Sequence, residues 1–190
     1  IINLWRGHNI KLPGVAQKRV TEVDPPNTFS VKPIDYKGLS PIPKLLIEKG
    51  SEVKAGDPLF YDKGNEDVKF TAPVSGEVAE IIRGPKRKIE EIVILADKEV
   101  KFKDFGKSDI DKIDTKDVIV KMLESGVWPY LIQRPFGIVA DPSITPKNIY
   151  ISAYDTAPLS ADVNYLLEGN EKAFQAGVNA LNKLTDGKVH

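Results

Sequence analysis

Lys49-Gly50-Ser51-Glu52-Val53-Lys54-Ala55-Gly56-Asp57-Pro58-Leu59 and, shortly after it, Thr71-Ala72-Pro73-Val74-Ser75-Gly76-Glu77-Val78 decide how the first half of this chain is read. Apolar residues stand singly or in short runs at Leu45, Ile47, Val53, Leu59, Phe70, Val74, Val78, Ile81 and Ile92 to Leu95, with Gly and Pro between them. That rhythm predicts short strands, and no amphipathic helix fits between Phe29 and about Lys103. Gly50, Gly56 and Gly76 fall where a strand is expected to reverse, a place that suits a residue tolerating positive φ. Tight reversals at this spacing build a small closed β sandwich.

From Lys107 the texture changes. Asp114 suits a helix cap, Val118, Ile119, Met122 and Leu123 share one face, and Gly126 stops the run. Asn148 to Ala153 reads as a buried strand, and a second helix is expected from about Asn170 to Gly187, with Ala173, Phe174, Gly177, Val178, Leu181 and Leu184 on one face. Helix, strand, helix is an α/β texture, so a boundary is expected near residues 100–110.

The 190 residues carry 27 Lys plus Arg against 27 Asp plus Glu, a formal net charge of zero, with 41% hydrophobic residues. That composition fits a folded chain and speaks against a protein that grips a phosphate backbone, so nucleic acid is not expected as a partner. The longest apolar run, Ile92 to Ala96, falls far short of the roughly 20 residues that a membrane helix needs, so no direct membrane span is expected. With no cysteine there is no disulfide, thiolate metal site or iron–sulfur cluster. The chain opens on Ile1 rather than Met, and it reads as a piece of a longer protein.

The glycines and the Ala72-Pro73-x-x-Gly76 half-motif resemble the biotinyl/lipoyl-like domains, which fold as flattened barrels. In the carrier members of that group a lysine sits about seven residues ahead of the Ala. Here that position is Asn65, with Lys63 and Lys69 to either side, so the resemblance extends to shape rather than to acyl or biotin transfer.

Two other stretches attract attention as sites. Ser125 to Gly137 concentrates Trp128, Tyr130, Arg134 and Phe136, residue types that offer rigid area and a directed donor to a partner or a flat ligand; Trp128 and Phe136 are equally suited to a core. Asp155 and Thr156 follow the expected strand, where ligands collect in open α/β sheets, and they also suit an ordinary turn. His8 has no partners for a metal site, and no dinucleotide, P-loop, nucleophile-elbow or zincin motif occurs. No catalytic, cofactor-binding or metal-binding residue is assigned.

Arg134-Pro135-Phe136, the run from Thr145 through Tyr154-Asp155-Thr156-Ala157-Pro158 to Asp162, Ala173 to Gly177 and Leu184 to His190, together with Arg6 to Gly14, resemble the A subunit of the Na⁺-translocating NADH:quinone reductases. The resemblance covers essentially the whole chain. It implies an α+β or α/β chain: an extension over 1–28, a biotinyl/lipoyl-like barrel-sandwich hybrid over 29–105, and over 106–190 the start of a truncated, Rossmann-like α/β domain related to the NADH/FMN-binding subunit of complex I. It implies a peripheral protein on the cytoplasmic face of a bacterial inner membrane, partnered by the other subunits of a complex that passes electrons from NADH to ubiquinone and exports Na⁺. Relatives with a flavin carry a glycine-rich loop where this chain has residues 126–137, and prolines and bulky side chains there remove amide donors and block close approach. The expectation is therefore a scaffold or quinone-proximal subunit with no redox cofactor of its own, contact with ubiquinone left open, NADH and flavins on other subunits, and no activity for the fragment alone. A carrier protein and a flavin- or NAD-binding oxidoreductase are the competing readings.

Overall fold

The structure, a computed structural model, describes residues 13, 17–40, 42–155, 157 and 159–190. His8 and Thr156 lie outside the described residues, as does nearly all of the stretch from Arg6 to Gly14.

Among the described residues, seven strands occupy the first half: β1 (Thr28–Val31), β2 (Lys44–Leu45), β3 (Glu52–Val53), β4 (Pro58–Asp62), β5 (Asn65–Thr71), β6 (Gly76–Arg83) and β7 (Ile89–Ala96). They form a four-stranded sheet in the order β1-β7-β6-β3 and a three-stranded sheet in the order β2-β4-β5, with every pairing antiparallel. Alternation along the strands turns Val78, Ile92 and Ile94 inward from one sheet and Phe60 and Phe70 from the other, and all are buried. This is the expected barrel-sandwich shape, and only single 3₁₀ turns interrupt its strands.

Gly50 and Gly56 do sit in turns with φ of +87° and +96°. Gly76 differs from expectation: it opens β6 rather than a reversal, and it is required because a Cβ there would lie 2.0 Å from the Leu95 carbonyl oxygen on β7. Beside it the fully buried Ser75 hydroxyl donates to Asp97 Oδ2 at 2.9 Å and accepts from the Lys101 amide at 2.8 Å, so the half-motif also anchors the chain leaving β7.

That connector runs along the barrel. Ala55 and Phe102 form a parallel bridge, and the Lys121 ammonium on the first helix donates to the carbonyls of Phe105 and Gly106. The helix α1 (Thr115–Glu124) begins at Asp114, whose side chain accepts from the Lys116 amide at 2.9 Å, and buries Val118 against the barrel. It ends in a Schellman motif, with the Val127 amide bonded to the Met122 carbonyl and Gly126 at φ +72°.

Beyond lie a small hairpin, β8 (Ile132–Gln133) with β9 (Ile138–Val139), and the helices α2 (Val163–Leu167) and α3 (Glu171–Asn182). Two expectations need correction. Asn148 to Ala153 is not a buried strand: its one bridge is Ile149 to Val189, and half of it is exposed, because Lys188 to His190 is its only backbone partner among the described residues. The second helix stops at Asn182, five residues short of Gly187, because the chain turns there to bury Leu184 and to let the Lys183 ammonium reach the Ile113 carbonyl. No open parallel sheet forms among the described residues.

Candidate functional site

A cleft of about 260 Å³ lies where the barrel meets the segment after α1. One wall comes from the end of β1 and the following 3₁₀ turn (Pro33–Asp35), which delivers Tyr36; the floor is Phe70 and Thr71 at the end of β5; the far wall is Gly126, Pro129 and Tyr130. The Tyr36 ring meets Phe70 edge-on at 4.5 Å and Phe60 at 6.3 Å, while Phe60 and Phe70 stack on each other at 4.8 Å. This aromatic set fixes the Tyr36 ring by geometry as well as by burial. Burial first, then the neighbouring Tyr130 hydroxyl and Asp35, push the Tyr36 hydroxyl up to about 12. At neutral pH it is therefore a firm hydrogen-bond donor and a poor proton source.

Gly126 is buried and positions the far wall. A Cβ there would fall 2.4 Å from Thr71 Oγ1, so α1 ends directly against β5. At the rim, Lys32 pairs with Glu91 at 3.0 Å, and Ser30 Oγ donates to the same carboxylate at 3.0 Å. The Lys32 bond, with the Ser30 bond second, holds Glu91 below the usual glutamate range and Lys32 above the usual lysine range. The cleft thus brings two phenols together beside the Lys32–Glu91 pair and the Asp35 carboxylate.

The expected site residues divide among three places. Trp128 is only 4% exposed, and its indole N–H donates to the Ala140 carbonyl at 2.7 Å, so it anchors the hairpin and presents no open face. Tyr130 is 72% exposed and lines the cleft. Arg134 and Phe136, the latter 74% exposed, sit on the turn of the β8–β9 hairpin and do not line the cleft. Asp155 closes a local turn by accepting from the Ala157 amide at 2.8 Å, and it is exposed. Sequence reasoning missed Tyr36, Phe70 and Thr71. The only local signal for Tyr36 was a Pro33-x-x-Tyr36 turn following a strand.

A second cavity of about 190 Å³ separates the β4–β5 hairpin from the β8–β9 hairpin, with Asp62, Asn65, Ile138 and Asp141 around it and Phe70 again at its wall. Lys63 stands exposed on that β4–β5 turn, and Lys69 lies within β5 opposite Tyr61. No cluster of metal-ligating side chains and no helix long and apolar enough to cross a membrane occurs among the described residues.

Comparison with known proteins agrees with this architecture. A family profile described as the NqrA N-terminal barrel-sandwich hybrid domain matches residues 2–97, and one described as the NqrA second alpha/beta domain matches residues 113–190. The Na(+)-translocating NADH-quinone reductase A subunit of Yersinia pseudotuberculosis is 33% identical over all of this chain and 42% of its own length. Its counterpart in Alcanivorax borkumensis is 34% identical over the same shares, and that of Pseudomonas aeruginosa strain PAO1 is 35% identical over 97% of this chain and 41% of its own. The chain therefore spans about two fifths of the length of these relatives. A barrel-sandwich hybrid followed by a second α/β portion, matched by the two profiles over residues 2–97 and 113–190, makes this chain a member of the NqrA family.

Proposed function

We propose that this chain forms part of the A subunit of a Na⁺-translocating NADH:quinone reductase, and that it acts as a peripheral scaffold at the cytoplasmic face of a bacterial inner membrane. It holds no redox cofactor of its own. NADH and flavins belong to other subunits, and the cleft between Tyr36 and Tyr130 receives the head group of ubiquinone. The observation that carries the last step is the cleft itself. A quinone ring needs an apolar surface and a donor for a carbonyl oxygen; the exposed Tyr130 ring and Pro73 supply the first, and the phenols the second. Because the Tyr36 hydroxyl stays protonated at neutral pH, its part is to orient the ring, not to deliver a proton.

Arg134 and Phe136 fit a different task. Exposed on a hairpin whose base is fixed by Trp128, they are suited to contact a neighbouring subunit. Residues 126–137 supply no nucleotide cradle, since Pro129 and Pro135 lack amides and Trp128 fills the space behind them.

Titration calorimetry of the purified chain with a water-soluble short-chain quinone, FMN and NADH tests this reading. The quinone is expected to bind, and Tyr36→Phe to weaken it roughly fivefold, the worth of one neutral hydrogen bond, while the retained ring preserves the fold. FMN and NADH are expected to give no heat of binding. Tight FMN binding, or unchanged quinone affinity in Tyr36→Phe combined with Tyr130→Phe, would overturn the assignment.

A further inference from the structure

Arg83-Gly84-Pro85-Lys86-Arg87-Lys88 joins β6 to β7 and places four cations within six residues of a chain whose formal net charge is zero. The Pro85 carbonyl accepts from the Lys88 amide at 3.2 Å, and the two residues between them are both left-handed, Lys86 at φ 56° and Arg87 at φ 62°. That is the pattern of a type I′ turn, whose central positions Asn and Gly fill without strain. Lys and Arg have no such ease there.

Nothing in the fold asks for them. Arg83, Lys86 and Arg87 are exposed, and among the described residues none of the four cations enters an ion pair. Glu90 lies against the turn, its side chain filling the space that a Cβ on Gly84 would take. The backbone is thus held in a disfavoured state at two successive positions, and the visible result is two extra positive charges on an exposed tip. Strain that no internal contact explains is a pointer to an external one.

We propose that this β6–β7 tip is an electrostatic contact for a surface of anionic phospholipid. A protein partner is a poorer fit, because protein interfaces depend on desolvated aromatic or aliphatic anchors and the tip carries none beyond Pro85. A lipid surface attracts each lysine and arginine singly, with no demand on side-chain geometry. Since the chain as a whole is neutral, the attraction is local and strongly screened by salt. The contact is independent of the quinone cleft, whose lining includes none of these residues.

Co-sedimentation with vesicles tests it. The chain is expected to bind phosphatidylcholine vesicles enriched in phosphatidylglycerol at low ionic strength, to leave them at high salt, and to ignore pure phosphatidylcholine. The double substitution Lys86→Asn with Arg87→Gly installs the residues that the turn prefers, so its thermal midpoint is expected to hold or rise while vesicle affinity falls roughly tenfold or more. Failure of the native chain to bind anionic vesicles, or undiminished binding by the double variant, would overturn the proposal. So would a variant that loses association with other subunits of the complex while native and variant chains alike ignore the vesicles, which would assign the tip to a carboxylate-bearing protein surface.

Discussion

Gly76 and Gly50 differ in what a side chain would meet. At Gly76 a Cβ collides with the Leu95 carbonyl of the neighbouring strand, whereas at Gly50 nothing lies within 4 Å and only φ resists. Gly76→Val is therefore expected to cost more than about 2 kcal/mol in urea unfolding, and Gly50→Ala about 1 kcal/mol. Equal losses would contradict the steric account. Tyr36 supplies a second expectation. Its hydroxyl titrates at about 12 in the fold against 10.0 when free, so the folded state holds this proton more tightly than the unfolded chain. The corresponding stability is complete below pH 10 and drains away as pH rises toward 12. Thermal midpoints across that interval are expected to fall less steeply in Tyr36→Phe than in the native chain. The glycine rhythm was legible in the sequence because turns and close approaches are local demands on the backbone. Tyr36 was not, because its importance arises only when a 3₁₀ turn swings it across Phe70, a residue far away in the chain.

Helix α1 illustrates an element whose ends and buried face agree with its sequence. Asp114 caps it, Gly126 releases it and Val118 faces the core, so capping pattern, stop signal and apolar period all point the same way. Asp114→Ala is expected to remove about 1 kcal/mol of stability, measurable as a lowered urea midpoint with unchanged slope. Asn148 to Ala153 is the opposite case. An apolar run with β-branched residues shows that a segment can be extended, but it says nothing of how many neighbours will cover it, and here Lys188 to His190 is the single one among the described residues. The same gap explains the candidate site. Trp128, Tyr130, Arg134 and Phe136 were visible as a cluster of rigid side chains, yet which of them faces inward depends on the hairpin and on the Ala140 carbonyl that captures the indole.

At the scale of the molecule, the two portions are pinned together at several points. Gly126 abuts Thr71, and Gly38 comes so close to Ile138 that a Cβ would lie 2.6 Å from its side chain, while Ala55 bridging Phe102 and Ser75 holding Asp97 and Lys101 fix the chain that leads out of the barrel. Contacts this tight couple the barrel to the α1–hairpin segment. Far-ultraviolet circular dichroism and Trp128 fluorescence, with Trp5 replaced by Phe, are expected to report one coincident unfolding transition. Two separated transitions would show that the pins are weak. Phe70, finally, is common to the linings of both cavities, the cleft beside Tyr36 and the space between the hairpins. It is a party wall. Its ring is stacked on Phe60 and met edge-on by Tyr36, so the partition between the two hollows is held in place by the aromatic core itself.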